Sequence, residues 1–252
     1  MNFFNDIFTT TQRYLKSQVQ TPYFLVFSIA QPIFWLIIFG QLFEGMFTTG
    51  GYSYIQFITP GIVVMNVLYD AGYSGMSVIE DIEHGVFYKI LASPTNKLAI
   101  VIGNLLASFL SIFIQVTIVI IIALMLGFSF YGNLLDLLIM IVAIGLLAFG
   151  VSGCSKALAF FTRKDDPVVI IVNFITMPLI FLSSILLPAE SMPNWAGKLI
   201  LFNPLEYAVR IVRQCCYGAV KDANFGYYLV ILLCFAIVGV ILSTLGIKRT
   251  TD

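Results

Sequence analysis

Charge is what this sequence has least of. Only 10% of its 252 residues are Asp, Glu, Lys or Arg, and 13 basic residues balance 13 acidic ones. Without a basic excess there is no electrostatic footprint for nucleic acid. Histidine occurs once, and the four cysteines, Cys154, Cys215, Cys216 and Cys234, show no CxxC or Cys/His spacing. Cys215 and Cys216 are adjacent, a poor geometry for mutual pairing, so the cysteines read as small apolar residues. One histidine does not anchor a metal site, and none is expected. No G-x-x-x-x-G-K-[ST] loop is present, so hydrolysis of ATP in the P-loop manner is excluded for this chain. HExxH is missing too, as is a Ser-His or Cys-His pair within the apolar runs, which argues against an intramembrane enzyme. The N-terminus lacks a basic start, apolar run and small-residue cleavage site in succession, so a signal peptide is not expected.

What is abundant is apolar. Hydrophobic residues make up 60% of the chain and the mean hydropathy is +0.98, the range of integral membrane proteins. A bilayer core of about 30 Å needs about 20 mainly apolar residues per helix. Suitable runs occur near 23–43, 55–78, 98–126, 134–160, 167–187 and 227–247. They are continuous, without the alternation of a membrane β-barrel, so the expected fold is an all-α membrane protein with six transmembrane helices. Ahead of them, Phe3, Phe4, Ile7, Phe8, Tyr14, Leu15 and Val19 recur at helical spacing, with Asp6, Gln12, Arg13 and Lys16 on the other side. Residues 1–20 therefore read as an amphipathic helix in the membrane interface, or else as a polar lead-in with incidental phenylalanines.

Basic residues are retained on the cytoplasmic side of a membrane protein. With the N-terminus inside, Arg13, Lys16, Lys89, Lys97, Arg163, Lys164, Lys248 and Arg249 are cytoplasmic, and the outer loops 44–53 and 127–133 hold no Lys or Arg. Lys198, Arg210, Arg213 and Lys221 fall in a long outer segment, which counts little in this rule. The expectation is a multi-pass protein of the cell membrane with both termini cytoplasmic.

Against this background the stretch EDIEHGVFYKILASP, residues 80–94, is an island of charge. At about 2.5–3.5 kcal/mol per carboxylate at a bilayer centre, Glu80, Asp81 and Glu83 must leave the hydrocarbon. Ile82, Val86, Phe87, Ile90 and Leu91 then lie along one face of a short helix, and Pro94 ends or bends it. Such a helix across a cytoplasmic turn is either a plain interfacial connector or a docking surface for a cytoplasmic partner.

Two further places carry polar groups in apolar surroundings. Asp70 is deep in the second run, a functional candidate by default in a membrane and a candidate for the translocation path, or else a carboxyl protonated or bonded to a neighbouring helix. Residues 188–225 are too apolar for a free loop and too interrupted for a span. Asn203 is placed to cap a helix that Pro204 begins, so a re-entrant helical hairpin is expected. Within it Glu206 and Arg210 are four apart and Arg213 three further on, arranged either for structural pairing or for substrate passage.

The motifs on either side resemble those of a known family. YIQFITPGIVVMNVLYDAGYSGMSVIEDIEHGVFYKILASP matches a Y-x-x-F-x-x-P-G opening and a D-x-E-x-G…S-P close, at Tyr54, Phe57, Pro60, Gly61, Asp81, Glu83, Gly85, Leu91, Ser93 and Pro94. PLIFLSSILLPAESMPNWAGKLILFNPLEYAVRIVR matches a second pattern at Pro178, Leu179, Phe181, Leu182, Ser183, Pro188, Pro193, Trp195, Asn203, Pro204, Leu205, Tyr207 and Arg213. Together they resemble the permease subunits of type-2 ATP-binding-cassette exporters, in particular the daunorubicin-resistance-like branch. Ile82 stands where the family usually has an arginine, and Ser184 where it has a glycine.

The resemblance implies a single transmembrane domain over residues 1–252, paired with a second permease copy and driven by a separate cytoplasmic P-loop ATPase that holds ATP and Mg, with no cofactor on this chain. It implies that residues 80–94 form the coupling helix. There Asp81, Glu83, Gly85 and Lys89 would make polar or backbone contacts with the ATPase, Phe87 and Leu91 would pack, and Pro94 would brace. It also places Trp195, Asn203, Pro204, Glu206, Tyr207, Arg210 and Arg213 in the re-entrant segment, 188–225. The expected cargo is an amphiphilic or hydrophobic compound, drug- or lipid-like. A polysaccharide or lipid-linked glycan exporter is the alternative within the superfamily, and an ion-coupled secondary transporter the alternative outside it.

Overall fold

The computed structural model describes residues 3–20, 22–43, 53–92, 96–218 and 222–251. Pro94, Ser93 and Lys221 lie outside the described residues, as do residues 44–52, and so does the side chain of Leu91. All regular structure among the described residues is helical. In chain order the helices are α1 (Phe3–Gln20), α2 (Pro22–Leu42), α3 (Tyr54–Tyr73), α4 (Met76–Glu83), α5 (Val86–Ala92) and α6 (Lys97–Met125). They continue with α7 (Leu134–Thr162), α8 (Asp165–Phe181), α9 (Asn194–Leu199), α10 (Pro204–Tyr217) and α11 (Phe225–Thr251), with single 3₁₀ turns at Ala189–Ser191 and Ile200–Phe202.

Among the described residues, four stretches are long and apolar enough to cross a membrane: Tyr54–Glu83, Lys97–Met125, Leu134–Thr162 and Phe225–Arg249. Within α2 the stretch Ser28–Leu42 is a shorter apolar helix, and α8 is 17 residues long. Polar side chains set where these helices begin. Ser53 accepts from Gln56 N, and Asn96 from Leu98 N. Asn133 and Asp136 satisfy one another's backbone in a capping box. At the far end of α7, Arg163 adopts φ 52° and stops the helix in a left-handed cap.

Helix α3 is the centre of the bundle. Its residues from Tyr54 to Leu68 are all buried, and Ile58, Ile62, Val64 and Val67 are fully enclosed in a core shared with α6, α7 and α10. Close backbone approach tightens the rest. A Cβ on Gly153 of α7 would stand 2.3 Å from the Gly239 carbonyl carbon of α11, so these two long helices meet backbone to backbone as small residues allow in a membrane. Likewise a Cβ on Gly103 of α6 would meet Thr10 at 2.7 Å, which is why α1 lies flush against α6, with Thr11 donating to Gly103 O at 3.1 Å.

α1 is the amphipathic helix that its spacing predicts, with one difference. Phe4 and Phe8 face outward at 80% and 68% exposure, whereas Asp6 of the polar side is buried. The surface α1 turns toward the bundle is polar because Thr11 and Tyr14 find partners there.

Candidate functional site

The second apolar run does not end at Val78 and hand over to a separate charged helix. It breaks earlier, at Ser74–Gly75, and resumes as α4. Ser155 of α7 holds the break: its hydroxyl donates to Gly72 O and accepts from Gly75 N at 3.1 Å. A Cβ at Gly75 would stand 2.6 Å from Ser155 O, so the contact needs glycine. α4 then carries Glu80, Asp81 and Glu83 to its end, and the chain turns at His84 and Gly85. Gly85 has φ 68°, the left-handed conformation that glycine adopts without strain. The stretch read as one short helix over 80–94 is thus the end of α4, a turn, and α5.

Two of the residues expected to face a partner face inward instead. Asp81 is only 12% exposed at its side chain and is held by α1. Arg13 Nη1 and Nη2 donate to its two oxygens at 2.9 and 2.6 Å, and Tyr14 OH donates at 2.5 Å. The Arg13 guanidinium also lies over the Tyr14 ring, 4.1 Å from its centroid. Burial pushes the Tyr14 phenol well up, reinforced by the neighbouring Asp81 carboxylate, so it stays a neutral donor. Arg13, which holds Asp81, lies 68 positions earlier in the chain.

Phe87 is the second correction: at 2% exposure it packs against Phe160 of α7, with ring centroids 5.5 Å apart. Its apolar surface is worth more in that core, with Val78, Ile79 and Ile247, than at a free surface. The outward groups here include Glu80, Glu83, His84, Tyr88 and Lys89.

The sequence reading overlooked Lys156, a single charge averaged away in a long apolar run. It is 1% exposed on α7, and its ammonium donates to Asn104 O at 3.0 Å and Ser108 Oγ at 2.8 Å, both on α6. An ionisable residue inside a membrane run is itself a signal and would have found it. Lys156 and Ser155 are adjacent, so one turn of α7 grips α6 with one residue and the α3–α4 break with the next.

The segment that follows α8 is built around the end of that helix. Asn203 caps α10 through Leu205 N at 3.0 Å, with Pro204 at the first helical position. Its amide nitrogen donates to Leu179 O and Leu182 O, each at 2.7 Å, taking up carbonyls that α8 leaves free as it stops. This is why the helix ends at Phe181 although apolar residues continue to 187. Glu206, 1% exposed, accepts from Ser184 N at 2.7 Å and from Arg210 Nε at 2.6 Å. Arg213 donates to Ser184 O at 2.7 Å and stacks over Phe57, 4.1 Å from its centroid. Tyr207 OH donates to Leu201 O at 2.6 Å, whereas Trp195 on α9 is 63% exposed and takes no part in this cluster. Asp70 stands apart from both clusters, in α3 opposite α2.

Comparison with known proteins addresses the whole arrangement. Residues 5–217 match the family model described as ABC-2 type transporter. The chain belongs to the ABC-2 type transporter family. This ABC-2 chain is 28% identical over 208 residues to the daunorubicin resistance ABC transporter permease protein DrrB1 of Streptomyces coeruleorubidus, covering 82% of this chain and 74% of that protein. It is 28% identical over 258 residues to the "Putative transport permease ycf38" of Cyanophora paradoxa, covering 95% and 88%. It is also 28% identical over 174 residues to the "Probable multidrug ABC transporter permease YbhR" of Escherichia coli strain K12, covering 68% and 46%. An ABC-2 permease is a transport component, and the matched region contains α1 with Arg13, the α4–α5 turn, and the Asn203–Glu206–Arg213 cluster.

Proposed function

We propose that this chain is the membrane permease subunit of an ATP-driven exporter of amphiphilic or hydrophobic compounds. In this reading it crosses the cell membrane six times, through α2, the α3–α4 rod, α6, α7, α8 with its following turn, and α11. Both termini are cytoplasmic, a second copy of the permease completes the path, and a separate cytoplasmic ATPase binds and hydrolyses ATP.

The observation that carries the proposal is the construction of the α4–α5 turn. A docking element transmits motion only if it is rigid toward its own spans and open toward its partner. Asp81 and Phe87 fasten this turn inward, to α1 and α7, while Glu83, His84, Tyr88 and Lys89 point away. Glu83 and Lys89 are the polar contacts for the ATPase, and the left-handed Gly85 sets the angle between the helices that present them. Movement of the turn then passes along α4 to the Ser155-held break and into α3, the buried centre of the bundle. The daunorubicin-resistance name of one relative supports the drug-like cargo.

The test is co-purification of the permease with its ATPase subunit after Glu83→Arg and Gly85→Val. Both variants are expected to insert in the membrane and to lose the ATPase. Undiminished association with substrate-coupled ATP turnover would sink the docking assignment.

A further inference from the structure

Between α2 and α3 lies a cavity of about 160 Å³ whose walls include Ser28, Gln31, Asn66, Tyr69, Asp70 and Tyr73. Asn66 is 3% exposed, yet neither the nitrogen nor the oxygen of its amide has a hydrogen-bond partner. One carboxylate oxygen of Asp70, a helical turn further on, is equally enclosed and partnerless. Two fully buried ionisable side chains elsewhere, by contrast, are answered: Glu206 by Arg210 and a backbone amide, Lys156 by two oxygens. Buried polar groups left open at a cavity wall mark a site prepared for a ligand, since each costs about 1–3 kcal/mol while it has no partner.

The chemistry of the walls narrows the ligand. A carboxylate selects a cation, and in surroundings of low polarity that attraction is strong. Tyr69 and Tyr73 bring aromatic rings to the same wall; the Tyr73 hydroxyl is engaged outside the cavity, with Asn173, and that of Tyr69 faces Gln31 across it. The Asn66 amide oxygen supplies a neutral acceptor for an N–H donor. A cavity of about 150 Å³ holds one benzene-sized group, so this one takes a head group and not a whole drug. Phe34 and Ile38, three and seven residues beyond Gln31 on α2, continue the same helix face and are exposed. They offer an apolar track for a tail.

We infer that the Asp70 cavity receives the ammonium head of a cationic amphiphile while its tail lies along α2. This deepens the exporter reading and rests on it for the cavity's purpose, since the bound compound is the cargo.

The probe is radiolabelled N,N-dimethyldecylammonium, which keeps one N–H, measured by equilibrium dialysis against the permease in nanodiscs of zwitterionic lipid, with decyl sulfate as the anionic counterpart. Saturable binding of the cation is expected, at least tenfold weaker in Asp70→Asn and largely kept in Asp70→Glu, with no saturable binding of the sulfate. On the wild-type chain the cation is also expected to protect Asp70 from labelling by a hydrophobic carbodiimide, a readout that needs no variant. Equal binding to wild type and Asp70→Asn, or no protection of Asp70, overturns the site. Protected, Asp70-dependent binding without ATP-driven transport in the complex keeps the site and removes the exporter reading. ATP-driven export with binding indifferent to Asp70 does the reverse.

Discussion

Asp70 on α3 and Asp81 on α4 lie on either side of the Ser74–Gly75 break, and the fold treats them in opposite ways. Asp81 receives three hydrogen bonds from two neighbouring residues of α1. Asp70, deeper in the bundle, keeps an enclosed oxygen with no partner. Burial is therefore not what decides whether a carboxylate is satisfied. The pair on Asp81 fixes the position of an element, as a bidentate arginine does when its geometry is held by packing. The vacancy at Asp70 is a cost that the native fold tolerates and that stability alone gives no reason to keep. The two acids mark the two tasks expected of one rod: transmitting movement at one end and meeting cargo further in.

The largest effect is expected where a buried acid is fully engaged. Glu206→Ala strands Arg210 and the Ser184 amide together, and should cost about 2–4 kcal/mol of stability, read as a lower unfolding midpoint in detergent. A loss no larger than that of a surface substitution would mean that the Asn203–Glu206–Arg213 cluster does not hold α10 to the end of α8. At the small end stands Asp70→Asn. Removing a carboxylate that has no partner should leave stability within about 1 kcal/mol of wild type and on the stabilising side, in the same unfolding measurement. A loss comparable to that of Glu206→Ala would show that Asp70 has a structural partner and would remove the contrast with Asp81.

Much of the fold was legible because hydropathy acts over whole segments. The apolar runs beginning near 23, 55, 98, 134, 167 and 227 locate α2, α3, α6, α7, α8 and α11 within two residues of their starts. The Asn203–Pro204 helix start and the Glu206–Arg210 pair were legible too, since both are local and depend only on spacing along one helix. The remainder depends on contacts between distant segments. Nothing in the spacing of Arg13 and Asp81 announces that they meet, and the Ser74–Gly75 break is made by Ser155 on another helix. Phe87 has the look of an exposed docking residue in its own segment and is buried by Phe160, 73 positions later. The end of α8 is likewise set from outside, by Asn203, and not by a loss of hydropathy.

If Arg13 holds Asp81 in the working transporter as it does here, α1 and the α4–α5 turn should move as one body. The measurement that addresses it most directly is a double-mutant cycle on substrate-stimulated ATP turnover of the permease–ATPase complex, using Arg13→Gln, Asp81→Asn and the pair together. The account predicts that each single variant loses about tenfold, the equivalent of about 1.4 kcal/mol, and that the double variant loses no more than either. Losses that multiply in the double variant would show that the two residues act independently, and would contradict it.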